Sequence, residues 1–193
     1  MEENNGNRTE AKEKKSIPFI IQLILVVVVV LLLRTFVIGS IYVKGSSMEP
    51  NFVHGDVVLI NKLAANIGSP DRGDVVICRL HEDDGEENII KRVIGLPGDE
   101  LAFVPEEQNG DVFYTLYLNG EKTEEPYINE PMMGAGDVTG TVIVPEDSYF
   151  VMGDNRNAST DSRRDSVGPI EKKDLLGKVA VRVYPFDRFG GIR

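Results

Sequence analysis

The sequence predicts a mostly β protein, in which one N-terminal membrane-spanning helix precedes a β domain that carries a small inserted β subdomain. Three observations predict it. An apolar run broken only by Gln22, "IPFIIQLILVVVVVLLL", begins at Ile17. Beyond it, short β-branched or aromatic runs ("DVVLI", "GDVVICRL", "NIIKRVIG", "TLYLNG", "SYFVMGD", "KVAVRVY") alternate with Gly, Pro, Asp and Asn turn signals. Between about residues 103 and 145 that alternation loosens around Gly110, Pro126, Pro131, Gly134, Gly136 and Gly140, as in an insertion.

Residues 1–15 are polar and charged without apolar periodicity, the composition of a disordered tail. Ser16 is a helix-capping residue type, and Pro18 is tolerated in a first helical turn. Residues 16–40 are the predicted span. At about 1.5 Å per residue, positions 17–38 reach roughly 33 Å, enough for a bilayer core. Arg34 stands near one end, where its side chain can snorkel to the interface. Lys12, Lys14 and Lys15 flank the other end, which favours a cytoplasmic N-terminus and a single-pass protein of the cell membrane. The apolar run is longer than a signal-peptide h-region and no small-x-small site follows it, so a retained anchor is expected. Residues 41–193 then form an extracytoplasmic domain. Within it, Asn119-Gly120 suits a tight hairpin.

The 193 residues carry a formal charge of −10. The first 43 hold five basic and four acidic side chains, which leaves sixteen against twenty-seven and a net −11 for the rest. An acidic domain without a basic stripe argues against nucleic acid as a partner. It also leaves attachment to membrane lipid to the anchor. A single cysteine, Cys78, excludes an internal disulfide, and it sits in a strand-like run as a small core residue does. His54 and His81 lack metal-ligand spacing, so no metal is expected.

A serine hydrolase without a usable histidine needs another base, and lysine serves when burial keeps its amine neutral. In "IIKRVIG" a two-residue period puts Lys91 with Ile89 and Val93, and Arg92 with Ile90 and Ile94. Such a lysine is either partly desolvated or snorkels to water. Ser46 and Ser47, in "KGSSMEPN" just after the span, are nucleophile candidates or plain linker, with Met48 packed on the domain. "GDNRNASTDSR", residues 153–163, is a hydrogen-bonded loop able to hold an amine through a serine hydroxyl, with Asp161 and Arg163 paired to fix it.

Five blocks in order, "GSSMEPNF", "GDVVLINK", "RGDVVICRL", "IIKRVIGLPGD" and "MGDNRNASTDSR", followed by "VGPIEKKDLLGKVAVRVYPF", resemble those of type I signal peptidases, in the short single-anchor form of Gram-positive bacteria. The resemblance runs from the span to the C-terminus and is weakest over 103–145. It implies a membrane-anchored serine endopeptidase that removes N-terminal signal peptides from exported preproteins through a Ser-Lys dyad and an acyl-enzyme. Ser47 matches the family's nucleophile, Lys91 its general base, and Ser159 a serine whose hydroxyl bonds the lysine amine. Asp161 and Arg163 match a bracing pair, and Met48 a residue lining the substrate cleft. Implied partners are preproteins with small residues before the cut and the secretion machinery; no cofactor is implied. Ala158 stands where many members have Asn. Gly45 stands where some have a serine that helps bind the oxyanion, which leaves the Ser47 N–H as donor. Self-cleaving repressors share this chemistry but carry a DNA-binding module in place of an anchor. A non-catalytic, anchored peptide-binding domain is the other alternative.

Overall fold

The computed structural model describes residues 18–82 and 85–191. The tail, the Lys12, Lys14 and Lys15 cluster and the Ser16 cap lie outside the described residues. Helix α1, Phe19–Leu32, follows Pro18 and continues as a π-helical turn, Leu33–Val37. None of its residues is buried. The 19 residues Phe19–Val37 are long and apolar enough to cross a membrane. Leucine and valine around the whole circumference leave no polar face to turn to water, so the helix needs an apolar solvent.

The strands are β1 (Ile38–Tyr42), β2 (Val57–Asn61), β3 (Val75–Glu82), β4 (Gly85–Gly95), β5 (Glu100–Gln108), β6 (Asp111–Leu118), β7 (Glu121–Lys122), β8 (Thr141–Ile143), β9 (Ser148–Met152), β10 (Ile170–Glu171) and β11 (Leu175–Tyr184). A short helix α2, Lys62–Asn66, follows β2; Asn61 caps it by accepting from the Leu63 and Ala64 N–H groups. Residues 38–40, which continue the apolar run in the sequence, are strand. The helix therefore passes into β1 without a linker.

Seven strands form one antiparallel sheet in the order β1-β2-β11-β3-β4-β9-β10, and four form a second in the order β7-β6-β5-β8. The small sheet is the inserted region, and it begins at Glu100, a few residues before the sequence pattern loosens. Asn119 (φ 51°) and Gly120 (φ 82°) make the expected two-residue turn between paired Leu118 and Glu121. Asn109 (φ 56°) and Gly110 (φ 88°) make a second such turn between paired Gln108 and Asp111. Both central residues of this turn need positive φ, which Asn-Gly supplies. The small sheet is held to the large one by Leu101, Phe103 and Leu116 packed with Ile94, Phe150 and Met152.

Among the open strand edges of the described residues, two belong to β1 and to part of β4. β1 pairs only with β2. β4 pairs with β3 from Gly85 to Arg92, whereas β9 meets it only from Arg92 onward. The stretch of β4 up to Lys91 therefore has an open edge.

Candidate active site

Those two edges bound a groove of about 670 Å³, lined by residues 40–47 on one side and 86–91 on the other, with Ala158 and Thr160 at one end. Ser47 and Lys91 meet in it: Lys91 Nζ donates to Ser47 Oγ at 2.8 Å. Ser46, by contrast, is exposed, and its side chain makes no hydrogen bond among the described residues. Its carbonyl accepts from the Glu49 N–H and from Asn155 Nδ2, and the Ser47 carbonyl accepts from the Asn155 N–H at 3.0 Å. The turn that presents Ser47 is thus tied to residues 153–163 through backbone. The Ser47 N–H has no acceptor among the described residues and is available to a ligand.

Gly45, two residues earlier, has φ +79°, a backbone conformation that favours glycine. Its lack of a hydroxyl is matched by a conformational reason for carrying no side chain at all.

The alternation of β4 places Lys91 and its neighbour on opposite faces. Lys91 is 3% exposed. Burial pushes its pKa below that of free lysine, and the Asp161 carboxylate, the largest opposing influence, does not restore it. Arg92 turns the other way and chelates Asp154 through Nε (2.7 Å) and Nη2 (2.6 Å), while its Nη1 donates to the Gly73 carbonyl. Asn51 Nδ2 donates both to Asp154 Oδ2 and to the Tyr127 carbonyl. The Arg92 guanidinium lies 4.3 Å from the Tyr127 ring centroid. Arg156 forms a second buried pair with Glu125 and donates through Nε to the Gly153 carbonyl. These side chains fasten the inserted region to the site; sequence reasoning missed them, because each partner lies tens of residues from the other.

The expected Asp161–Arg163 brace is present. Asp161 accepts from Arg163 Nε (2.8 Å) and Nη2 (2.9 Å), and from the Gly153 N–H (3.0 Å). Burial alone would raise the Asp161 pKa, but the Arg163 guanidinium and the Gly153 N–H more than reverse it, with a smaller influence from nearby Ser159. A carboxylate held below its ordinary range contributes stability above that range and loses it as pH falls through the lowered value. Asp161→Asn is expected to cost about 3–5 kcal/mol at neutral pH by leaving Arg163 buried and unpaired. In urea unfolding, the gap to the wild type should narrow as the solution is acidified.

The opposite sign applies to Lys91. Between its lowered folded pKa and the ordinary lysine value, the unfolded chain binds a proton that the folded chain does not, so stability rises with pH through that window. Lys91→Met is expected to unfold at higher temperature than the wild type at neutral pH and to lose this alkaline rise, measurable by thermal melts across the window.

Two side chains lie elsewhere than the resemblance implies. Met48 does not line the groove: it is 1% exposed and packs in the core with Val43, Phe52 and Ile77. It is an apolar side chain in the same turn as Ser47, and the core is the nearer apolar environment; it anchors that turn from below. Ser159 does not hydrogen-bond Lys91 in this structure. Its Oγ is buried without a hydrogen-bond partner among the described residues, seated against Gly153 where that residue's Cβ would be. Ala158 is exposed at the groove's end, and Cys78 is a core residue whose thiol burial pushes up to about 12. Among the described residues, no group of three or more His, Cys, Asp or Glu converges as a metal site does.

The family model described as "Signal peptidase, peptidase S26" matches residues 16–184. The chain belongs to this family. It is a serine peptidase related to signal peptidase I P of Bacillus subtilis subsp. natto, 36% identical over 186 residues that cover 92% of this chain and 95% of that one. Signal peptidase I of Bacillus licheniformis is 38% identical over 173 residues, 86% of this chain and 87% of that one. Signal peptidase IB of Staphylococcus aureus is 32% identical over 192 residues, 92% and 94% of the two chains. A crystal structure of a signal peptidase I from Enterococcus faecalis, 26% identical, aligns over 57% of this chain and 96% of that one with a TM-score of 0.41. The match to the S26 family begins at residue 16 and so includes the apolar helix as well as the β domain.

Proposed function

We propose that this S26 peptidase is anchored in the cell membrane by α1 and removes N-terminal signal peptides from exported preproteins, with Ser47 as nucleophile and Lys91 as general base. The observation that carries the assignment is the 2.8 Å contact between a nearly fully buried lysine amine and a serine hydroxyl in an open groove. Neutral Lys91 accepts the Ser47 proton as Oγ attacks the scissile carbonyl carbon. The oxyanion that forms is stabilised by the Ser47 N–H. As the intermediate collapses, the C–N bond breaks, the lysine proton passes to the departing amine, and an ester acyl-enzyme remains. Lys91 then takes a proton from water, whose oxygen attacks the ester carbon; as the C–O bond to Ser47 breaks, Lys91 returns the proton to Oγ and the acid is released.

The two open strand edges suit an extended peptide. A substrate lying between them pairs its backbone with β1, with the early part of β4, or with both. Small side chains before the cut fit a chain held this close to Ser47. The N-terminus is placed in the cytoplasm and residues 41–193 outside, the secretion machinery delivering the substrate to that side. The anchor raises the effective concentration of sites that emerge at the same surface.

The test is incubation of the full chain in detergent with a preprotein carrying small-x-small residues before its cut, and mass analysis of the fragments. One cut after the small residues is expected, and it should vanish when those residues are made bulky. An intact preprotein that nevertheless binds would favour an anchored peptide-binding module.

A further inference from the structure

A second groove, of about 780 Å³, opens where the span joins the domain. Four cations rim it: Arg34 from the π-helical turn, Lys62 at the start of α2, Arg79 on β3, and Lys173 beside β11. Its floor is apolar, with Ile38, Leu59 and Leu176 among the lining residues, and no carboxylate lines it. In a domain of net charge −11 this is a local reversal of sign. Arg34 has no hydrogen-bond or ion-pair partner among the described residues. Lys62 Nζ donates to the Thr35 carbonyl at 3.0 Å, so it is held over the end of the span without a carboxylate. Gly39 makes room for it: a Cβ there would come within 3.0 Å of Lys62 Cε and 2.9 Å of Ile60 Cγ1. The remaining two have acidic neighbours at the periphery, Glu86 with Arg79 at 3.4 Å and Glu171 with Lys173 at 2.7 Å, all four side chains substantially exposed.

We propose that this groove holds the headgroup of an anionic phospholipid, its phosphate among the four cations and its glycerol and upper acyl carbons against the apolar floor. Position and charge together favour a lipid. Arg34 lies within the last turn of the span and Ile38 follows directly, so the groove opens at the level where phosphates of the bilayer lie. A basic cluster beside a span attracts anionic lipid, each Lys or Arg contributing about a fivefold gain. The acidic domain as a whole is repelled by such a surface, and the groove gives it one attractive point of contact. The proposal rests on α1 lying in a bilayer and not on the peptidase assignment.

The experiment reconstitutes the full chain in phosphatidylcholine discs containing a minority of phosphatidylglycerol and reads the co-retained lipids by native mass spectrometry, with no substrate present. Wild type is expected to retain phosphatidylglycerol in preference to phosphatidylcholine, and Lys62→Gln/Lys173→Gln to lose that preference by about twenty-five-fold. Arg79→Gln, on β3, should lose a part of it. Lys122→Gln, in the distant β7, should behave as wild type. Unchanged preference in the double variant, or an equal loss in Lys122→Gln, overturns the groove as the site. Excess inorganic phosphate is expected to leave the preference in place; full competition would identify a small-anion site and overturn the lipid.

Discussion

Ser47→Ala and Lys91→Ala are each expected to lower cleavage of a preprotein by a factor on the order of 10³ or more, and the double variant to fall little further. In the proposed mechanism the two side chains act on one proton: without the amine the hydroxyl is not activated, and without the hydroxyl there is nothing to activate. Ser46→Ala should cleave at close to the wild-type rate, because Ser46 contributes to the turn through its carbonyl and not its side chain. Folding is expected to survive at both dyad positions. Lys91 opposes folding through desolvation, so its removal relieves a cost even as it leaves a space. The wild-type rate should fall on acidification as Lys91 protonates, with a midpoint below the ordinary lysine value. Circular dichroism and single-turnover kinetics on each variant check these outcomes. A well-folded Lys91→Ala with ordinary turnover would remove the dyad from the mechanism.

Gly153→Ala is expected to lower turnover strongly although it lies outside the dyad. A Cβ there would collide with the Ser159 hydroxyl and the Ser47 carbonyl oxygen, and lie 2.6 Å from Ser159 Cβ. Relief requires the Ser47 turn to move, which strains the Asn155 N–H bond to the Ser47 carbonyl. A displacement near 1 Å costs about 10²-fold in rate, and overpacking typically removes about 1–3 kcal/mol of stability. The loss should fall on kcat more than on KM, since the groove's strand edges stay in place. Gly191→Ala, where an added Cβ meets nothing, is the control and should be neutral. Equal behaviour of the two variants would show that residues 153–159 do not set the position of Ser47.

Much of the fold is written in local pattern. The β-branched runs became β2, β3, β4, β6, β9 and β11, and Asn119-Gly120 became the turn it specifies. β1 was hidden because its residues continue the apolar composition of the helix, so nothing in hydropathy marks the change at Ile38. β5 was hidden for the opposite reason: its outer half, through Glu106, Glu107 and Gln108, is polar and exposed, and its partner strand holds it in place. In the site, alternation along β4 separated Lys91 from Arg92, but no period operates in a turn. Spacing alone therefore left Ser46 and Ser47 undecided, and only the family resemblance ranked them. For Met48, packing on the domain was the reading of the residues and is where its side chain lies, whereas the cleft position came only from the resemblance. Gly153 was passed over because its role lies in what would be crowded by a side chain, which a sequence does not display. The buried pairs Arg92–Asp154 and Arg156–Glu125 join distant segments and leave no local trace.

The direct passage of the helix into β1 turns the molecule into a depth gauge. Ser47 lies nine residues beyond Ile38, and the first four of the intervening positions belong to a strand clamped against β2. Even a fully extended connection reaches at most about 30 Å, and the strand keeps much of that length rigid. On the proposed function, Ser47 therefore stands at one height above the bilayer, and where a preprotein is cut depends on how far its own apolar segment lets the cleavage point rise. Residues spliced in between Val37 and Ile38 would loosen that gauge, and the position of the cut would become less sharply defined along the substrate while the chemistry at Ser47 stayed intact.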